Sequence, residues 1–223
     1  MTAGTSGWLA EACAEVARDP DSVTRAFAVA ARQVGRGPRW PDTDPTGVVH
    51  GTVDDAARAT LVVALAAAVG TGPDCAERLT LLYRQGDAAE RRGVLRGLDA
   101  LEARGDLSDA GGAGTVEPGA AELVVAGLEL AADALRTNDP SLVAAAVGPF
   151  GSRHLDQHTW RHAVLKLVFQ GVSLDAASGL ETRTDDELDR MARDFAAERR
   201  AAGRPVPADL DRLTTHRPAT TRE

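Results

Sequence analysis

The chain is predicted to be all-α, and three observations carry the prediction. Hydrophobic residues make up 43% of its 223 residues but aromatic ones only 4%. Much of the apolar content is therefore alanine, which favours helix over sheet. Apolar residues recur at helical spacing in segment after segment, punctuated by Gly, Pro and Asp-Pro junctions. No pair of strand-like runs flanks a tight turn, and only 47–49 has even a short β-branched run. Helices paired through short turns fit a single-domain bundle or a short HEAT-like array, although no repeat of fixed period is visible.

Each element has a local reason. Residues 5–19 are amphipathic around Trp8, Leu9, Cys13 and Val16, and Asp19-Pro20 ends them. A second helix runs through Val23, Phe27 and Ala30. Residues 35–51 carry too many Pro and Gly for regular structure and predict a long ordered loop or flap. Thr52, with Asp55 three residues on, caps the next helix, which ends at Gly70. Another runs through Leu79, Leu81 and Leu82 and stops near Gly86. Asp87 caps the following one, through Val94, Leu95 and Leu98, to about Gly105. Residues 105–119 are Gly-rich and predict a flexible surface loop. A helix over 120–136 follows, and Asp139-Pro140 starts the next. One continuous helix is expected from about Phe150 to Gly171. Thr184 and Glu187 are expected as a capping box for the helix through Leu188, Met191 and Phe195. The organisation expected is an N-terminal helical region over 1–70, a helical core over 71–206 and a polar tail over 207–223.

Charge and cysteine usage exclude several classes. The net charge is −8, with a pI of about 5.2. An acidic chain without a concentrated basic patch is a poor nucleic-acid binder. Cys13 and Cys75 are far apart, as expected of free thiols in a reducing compartment. No signal peptide is evident, and the most apolar stretch, 61–69, is too short to span a bilayer. A cytoplasmic location without a membrane span is the expectation.

The sharpest feature lies at 150–170. His154, His158 and His162 are spaced by four, and the next step of four reaches Lys166, the only lysine in the chain. Residues four apart share a helix face. Leu165 and Phe169 fall on the histidine side, and Trp160, Val164, Leu167 and Val168 fall opposite. A helix apolar on almost every side is a buried one, where unpaired charge is costly. His158, His162 and Lys166 are therefore the candidate catalytic groups, the histidines as proton carriers and the lysine as ligand to an oxyanion. His154, Trp160, Arg161, Asn138, Asp139, Tyr83 and Arg84 are candidate substrate-binding residues. Each has a plainer alternative: hydrogen-bonded histidines near a helix start, a lysine paired with Asp194 or Glu198, capping at 138–139 and aromatic core. Metal binding is not expected. The H-E-x-x-H pattern is absent, Asp156 points away from His158, and no second His or Cys cluster offers further ligands. No cofactor is called for.

Several segments together resemble the EboA family. They are L-Y-R-Q-G-D-A-A-E-R-R, R-T-N-D-P-S-L-V-A-A-A, H-L-D-Q-H-T-W-R-H-A-V-L-K-L-V-F-Q-G-V-S-L, G-L-E-T-R-T-D-D-E-L and D-F-A-A-E-R-R-A-A-G-R-P-V. The resemblance spans about 80–206. Its most diagnostic block, W-R-H-A-V-L-K-L-V-F, carries over Trp160, Lys166 and Phe169, and the closing motif carries over Glu198, Arg199 and Arg204. The resemblance implies an all-helical cytoplasmic protein of bacterial specialised-metabolite gene clusters, acting near a polar cyclitol or sugar or a prenylated intermediate. The function expected is binding or converting such a small molecule, with acid–base chemistry of isomerase, cyclase or lyase type if catalytic. The competing expectation is a non-catalytic helical adaptor that docks other pathway proteins. Convergence of Lys166 and the histidines on one part-solvated pocket favours the first; dispersal into salt bridges and caps favours the second.

Overall fold

The computed structural model describes residues 3–107 and 120–214. Most of the glycine-rich segment read as a flexible loop lies outside them. The fold is all-α: twelve α-helices and no strand among the described residues. None of these helices is long and apolar enough to cross a membrane.

The first half is α1 (Ala3–Arg18), α2 (Val23–Val34), α3 (Val53–Val69), α4 (Pro73–Gln85) and α5 (Ala88–Arg104). The second is α6 (Ala120–Arg136), α7 (Pro140–Ala146), α8 (Pro149–His154), α9 (Gln157–Phe169), α10 (Leu180–Arg183), α11 (Asp186–Ala201) and α12 (Leu210–Thr214). Packing between next-but-one helices is prominent: α1 on α3, α3 on α5, α4 on α6 and α5 on α7. The α3–α5 contact is the most extensive. Two glycines make it close. A Cβ on Gly93 would sit 2.5 Å from Arg58 Cδ, and one on Gly97 would sit 2.5 Å from Val62 Cγ2. Glycine costs helix propensity at both positions, and the return is direct contact between the two central helices.

The expected caps are present at α3 and α5. Thr52 with Asp55, and Asp87 with Glu90, form reciprocal capping boxes, each satisfying orphan N–H groups of a first turn. Asp139 caps α7, accepting from the N–H groups of Ser141 and Leu142. The expectation at α11 is off by one residue. Asp185, not Thr184, is the cap, accepting from Leu188 N–H, while the Thr184 hydroxyl donates back to Leu180 O. The aspartate wins because Thr184 already terminates α10.

The larger correction is at 150–170. One continuous helix was expected, and two are found. α8 ends at His154, Leu155 is extended, and Asp156 caps α9 through Thr159 N–H at 2.9 Å. Asp156 provides the physical reason. Its short acceptor competes for the backbone locally, which favours a new helix start over continuation. The C-terminal stretch also holds more structure than a polar tail: α12 buries Leu210 and Leu213 and packs on α11.

Candidate functional site

The break at Leu155 separates the histidines. His154, on α8, turns to α5, with Nε2 2.8 Å from Glu102 Oε2 and its ring 4.8 Å from that of Phe150. It does not share a face with the other two. His158 and His162, both on α9, are exposed and stack with ring centroids 4.2 Å apart. His162 Nδ1 lies 2.9 Å from the His158 carbonyl oxygen.

Lys166 is half-buried, as its apolar flanks imply, but not in an ion pair with Asp194 or Glu198. Its ammonium donates to the carbonyls of Leu135 and Thr137, both at 2.7 Å. These are orphan carbonyls at the C-terminus of α6, where a cation is favoured by hydrogen bonding and by the helix dipole. His158, His162 and Lys166 do line one cleft of about 230 Å³, between α9 and the end of α6.

The other predicted residues lie apart from this cleft. Trp160 is fully buried, with the Arg183 guanidinium 4.8 Å from its ring centroid. Arg183 also donates to the carbonyls of Ser152 and Leu155, closing the end of α8. Arg161 grips Asp185 with two guanidinium nitrogens, and that hydrogen-bonded pair holds the Asp185 carboxyl down to about 2. Asn138 is exposed in the turn after α6, and Asp139 is consumed by capping. Tyr83 and Arg84 line a different, larger cleft between α4 and α6.

A third cleft, of about 380 Å³, opens between α3, α5 and the 35–51 loop, and was not anticipated. Arg39, His50, Asp55, Arg96, Asp99 and Pro149 are among its walls. Around it lies an unusual density of buried charge. Asp44, Asp54, Asp55, Arg58 and Asp99 are each no more than 7% exposed. Burial of charge is tolerated only with partners, and most are present. Arg58 pairs with Asp54 at 2.6 Å and donates to Phe27 O. Arg92 pairs with Asp55 Oδ2 at 2.7 Å. Asp44 accepts from His50 N–H at 2.8 Å and so folds the loop over the cleft. Arg96 Nη2 donates to Val49 O at 2.9 Å, tying the loop to α5.

Two buried atoms of this network, Asp55 Oδ1 and Arg96 Nε, lack any partner among the described residues. Both side chains border the space beside Gly51. A Cβ there would lie 3.1 Å from Asp55 Oδ2 and 3.8 Å from Arg96 Nε. Gly51 has φ +79°, a left-handed conformation that favours glycine. In the same cleft, Asp99 accepts from Phe150 N–H at 3.0 Å and contacts Arg96 Nη1 at 3.5 Å. Burial dominates these bonds and pushes its carboxyl up to about 6. The arrangement offers fixed donors, fixed acceptors and one carboxyl able to exchange a proton near neutral pH.

The sequence signals for this cleft were the pairs D-D-A-A-R at 54–58 and R-R-G-V-L-R-G-L-D at 91–99, charged residues set within otherwise apolar helices. Among the described residues, no group of three or more His, Cys, Asp or Glu side chains is arranged to hold a metal ion. No curated protein and no solved structure matches the chain. Residues 127–215, from within α6 to just past α12, match the family model described as metabolite traffic protein EboA, so the EboA resemblance holds over the segment that contains Trp160, Lys166 and the closing arginine motif.

Proposed function

We propose that the protein binds a small polar metabolite non-covalently in the cleft between α3, α5 and the 35–51 loop. It would hold and hand on that metabolite, in keeping with the description of the family it resembles. The observation that carries this reading is the pair of unpartnered buried atoms, Asp55 Oδ1 and Arg96 Nε, beside that cleft. An orphan acceptor and an orphan donor each cost about 1–3 kcal/mol. A polar ligand that offers both donors and acceptors matches the chemistry of the two. His50, 4.9 Å from Trp40 in an edge-on arrangement, and Arg39, over the Trp40 ring, furnish the outer wall.

The test is equilibrium dialysis of the purified protein against a metabolite extract of the source cells, read by mass spectrometry. A small polar compound retained by the native protein and lost with Arg96→Gln supports the reading. If nothing is enriched over a dialysis blank, the reading fails.

A second reading is acid–base catalysis at the α6–α9 cleft, favoured by the convergence of His158, His162 and Lys166. Lys166 would act there as a fixed positive charge, since two carbonyls already hold its ammonium. Under this reading the retained compound is chemically changed on incubation. His158→Ala and His162→Ala would each abolish the change and leave Tm within a few degrees.

A further inference from the structure

The largest of the three clefts, about 480 Å³, is used by neither reading. It lies between α4 and α6, with α5 contributing Arg91. Three guanidinium groups face it, those of Arg84, Arg91 and Arg136. Among the described residues, Arg84 and Arg91 have no carboxylate within salt-bridge distance, which leaves them unneutralised in an acidic chain. Arg91 is nevertheless held in place. Its Nε donates to Gly86 O at 3.2 Å, and its Cζ lies 5.5 Å from the Tyr83 ring centroid. Both terminal nitrogens are thereby left to a ligand. Tyr83, buried, donates its hydroxyl to Asp133 Oδ2 at 3.1 Å. Arg136 contacts Asp133 Oδ1 at 3.3 Å. Asp133 is thus occupied from both sides. Glu129 is the remaining acid of the cleft and sits exposed on α6.

We propose that this cleft binds the anionic group of a small molecule, a phosphate monoester or a carboxylate. Arg84 and Arg91 are its principal ligands, and Arg136 turns to it from Asp133. Guanidinium forks match the planar or tetrahedral oxygens of such groups, and Arg91 is pre-oriented by its carbonyl and ring contacts. The aromatic floor under Arg91 restrains it without consuming its outer donors. Glu129 opposes the anion and sets an upper limit on affinity.

Titration calorimetry on the full chain tests this, with inorganic phosphate and malonate as probes and chloride at matched ionic strength as the control. Saturable one-to-one binding of either probe is expected, and the tighter of the two identifies phosphate or carboxylate as the group recognised. Arg84→Gln should weaken binding about tenfold or more, and Glu129→Gln should strengthen it severalfold. Arg84 is exposed, so its replacement leaves the fold intact; a thermal melt verifies this. Arg91→Gln is the second variant and should weaken binding similarly. Heat no greater than that of matched chloride overturns the proposal. So does binding unchanged by Arg84→Gln and Arg91→Gln together in a folded protein.

Discussion

Asp99 makes the stability of this protein depend on pH in a direction opposite to that of most aspartates. Its carboxyl is raised from 3.8 to about 6, chiefly by burial, against the opposing pull of Arg96 and Phe150 N–H. Below pH 3.8 it is protonated in both folded and unfolded chains. Between 3.8 and about 6 the unfolded chain has released the proton and the folded chain retains it. Raising the pH through this window therefore favours unfolding, and above it the penalty is constant. A carboxyl raised from 3.8 to about 6 destabilises the folded state by about 3 kcal/mol above that window.

Asp99→Asn removes the titration and keeps an acceptor oxygen for Phe150 N–H. The same site leaves no room for a larger group, because Gly148 packs against it: a Cβ there would fall 2.2 Å from Asp99 Oδ2. Urea unfolding of native and variant proteins, followed by circular dichroism at several pH values from about 4 to about 7.5, gives the difference in stability. Contributions from titrating groups not coupled to Asp99 cancel in that difference. The variant should gain on the native protein by about 2–3 kcal/mol from the acid end to the neutral end. A flat difference, or one that moves toward the native protein as pH rises, would refute the account of Asp99 as a buried, charge-disfavoured carboxyl.

Two further outcomes follow from the packing. Gly97→Ala places a methyl 2.5 Å from Val62 Cγ2 and should destabilise by about 1–3 kcal/mol, read as a lower urea midpoint at unchanged slope. Lys166→Met keeps the apolar stem but strips two donors from the Leu135 and Thr137 carbonyls. It should cost about 1–3 kcal/mol, with faster amide exchange at the end of α6 as its local signature.

Local chemistry was legible in the sequence wherever the competing interactions were also local. Helix class, the breaks at Asp19-Pro20 and Gly70, and the caps at Thr52, Asp87 and Asp139 were all readable, because each depends on residues within about one turn. The break at Leu155 escaped because the four-residue spacing from His154 to Lys166 runs straight through it. Only Asp156 signals the new start, through the preference of a short acidic side chain for the N-cap. The partner of Lys166 escaped for a different reason. A lysine in an apolar run indicates that something must satisfy it, but the two carbonyls lie 29 and 31 residues away. The cleft under the 35–51 loop was the least visible. Arg92 meets Asp55 across 37 residues and Arg96 meets Val49 across 47, and charged side chains read by default as solvated faces. Gly93 and Gly97 decide that these charges are buried, by letting α3 and α5 touch. Helical identity and caps are fixed by short-range sterics and hydrogen bonding. Which charges lose their water, and which must then find one another, depends on the approach of distant helices, and only the tertiary structure decides that.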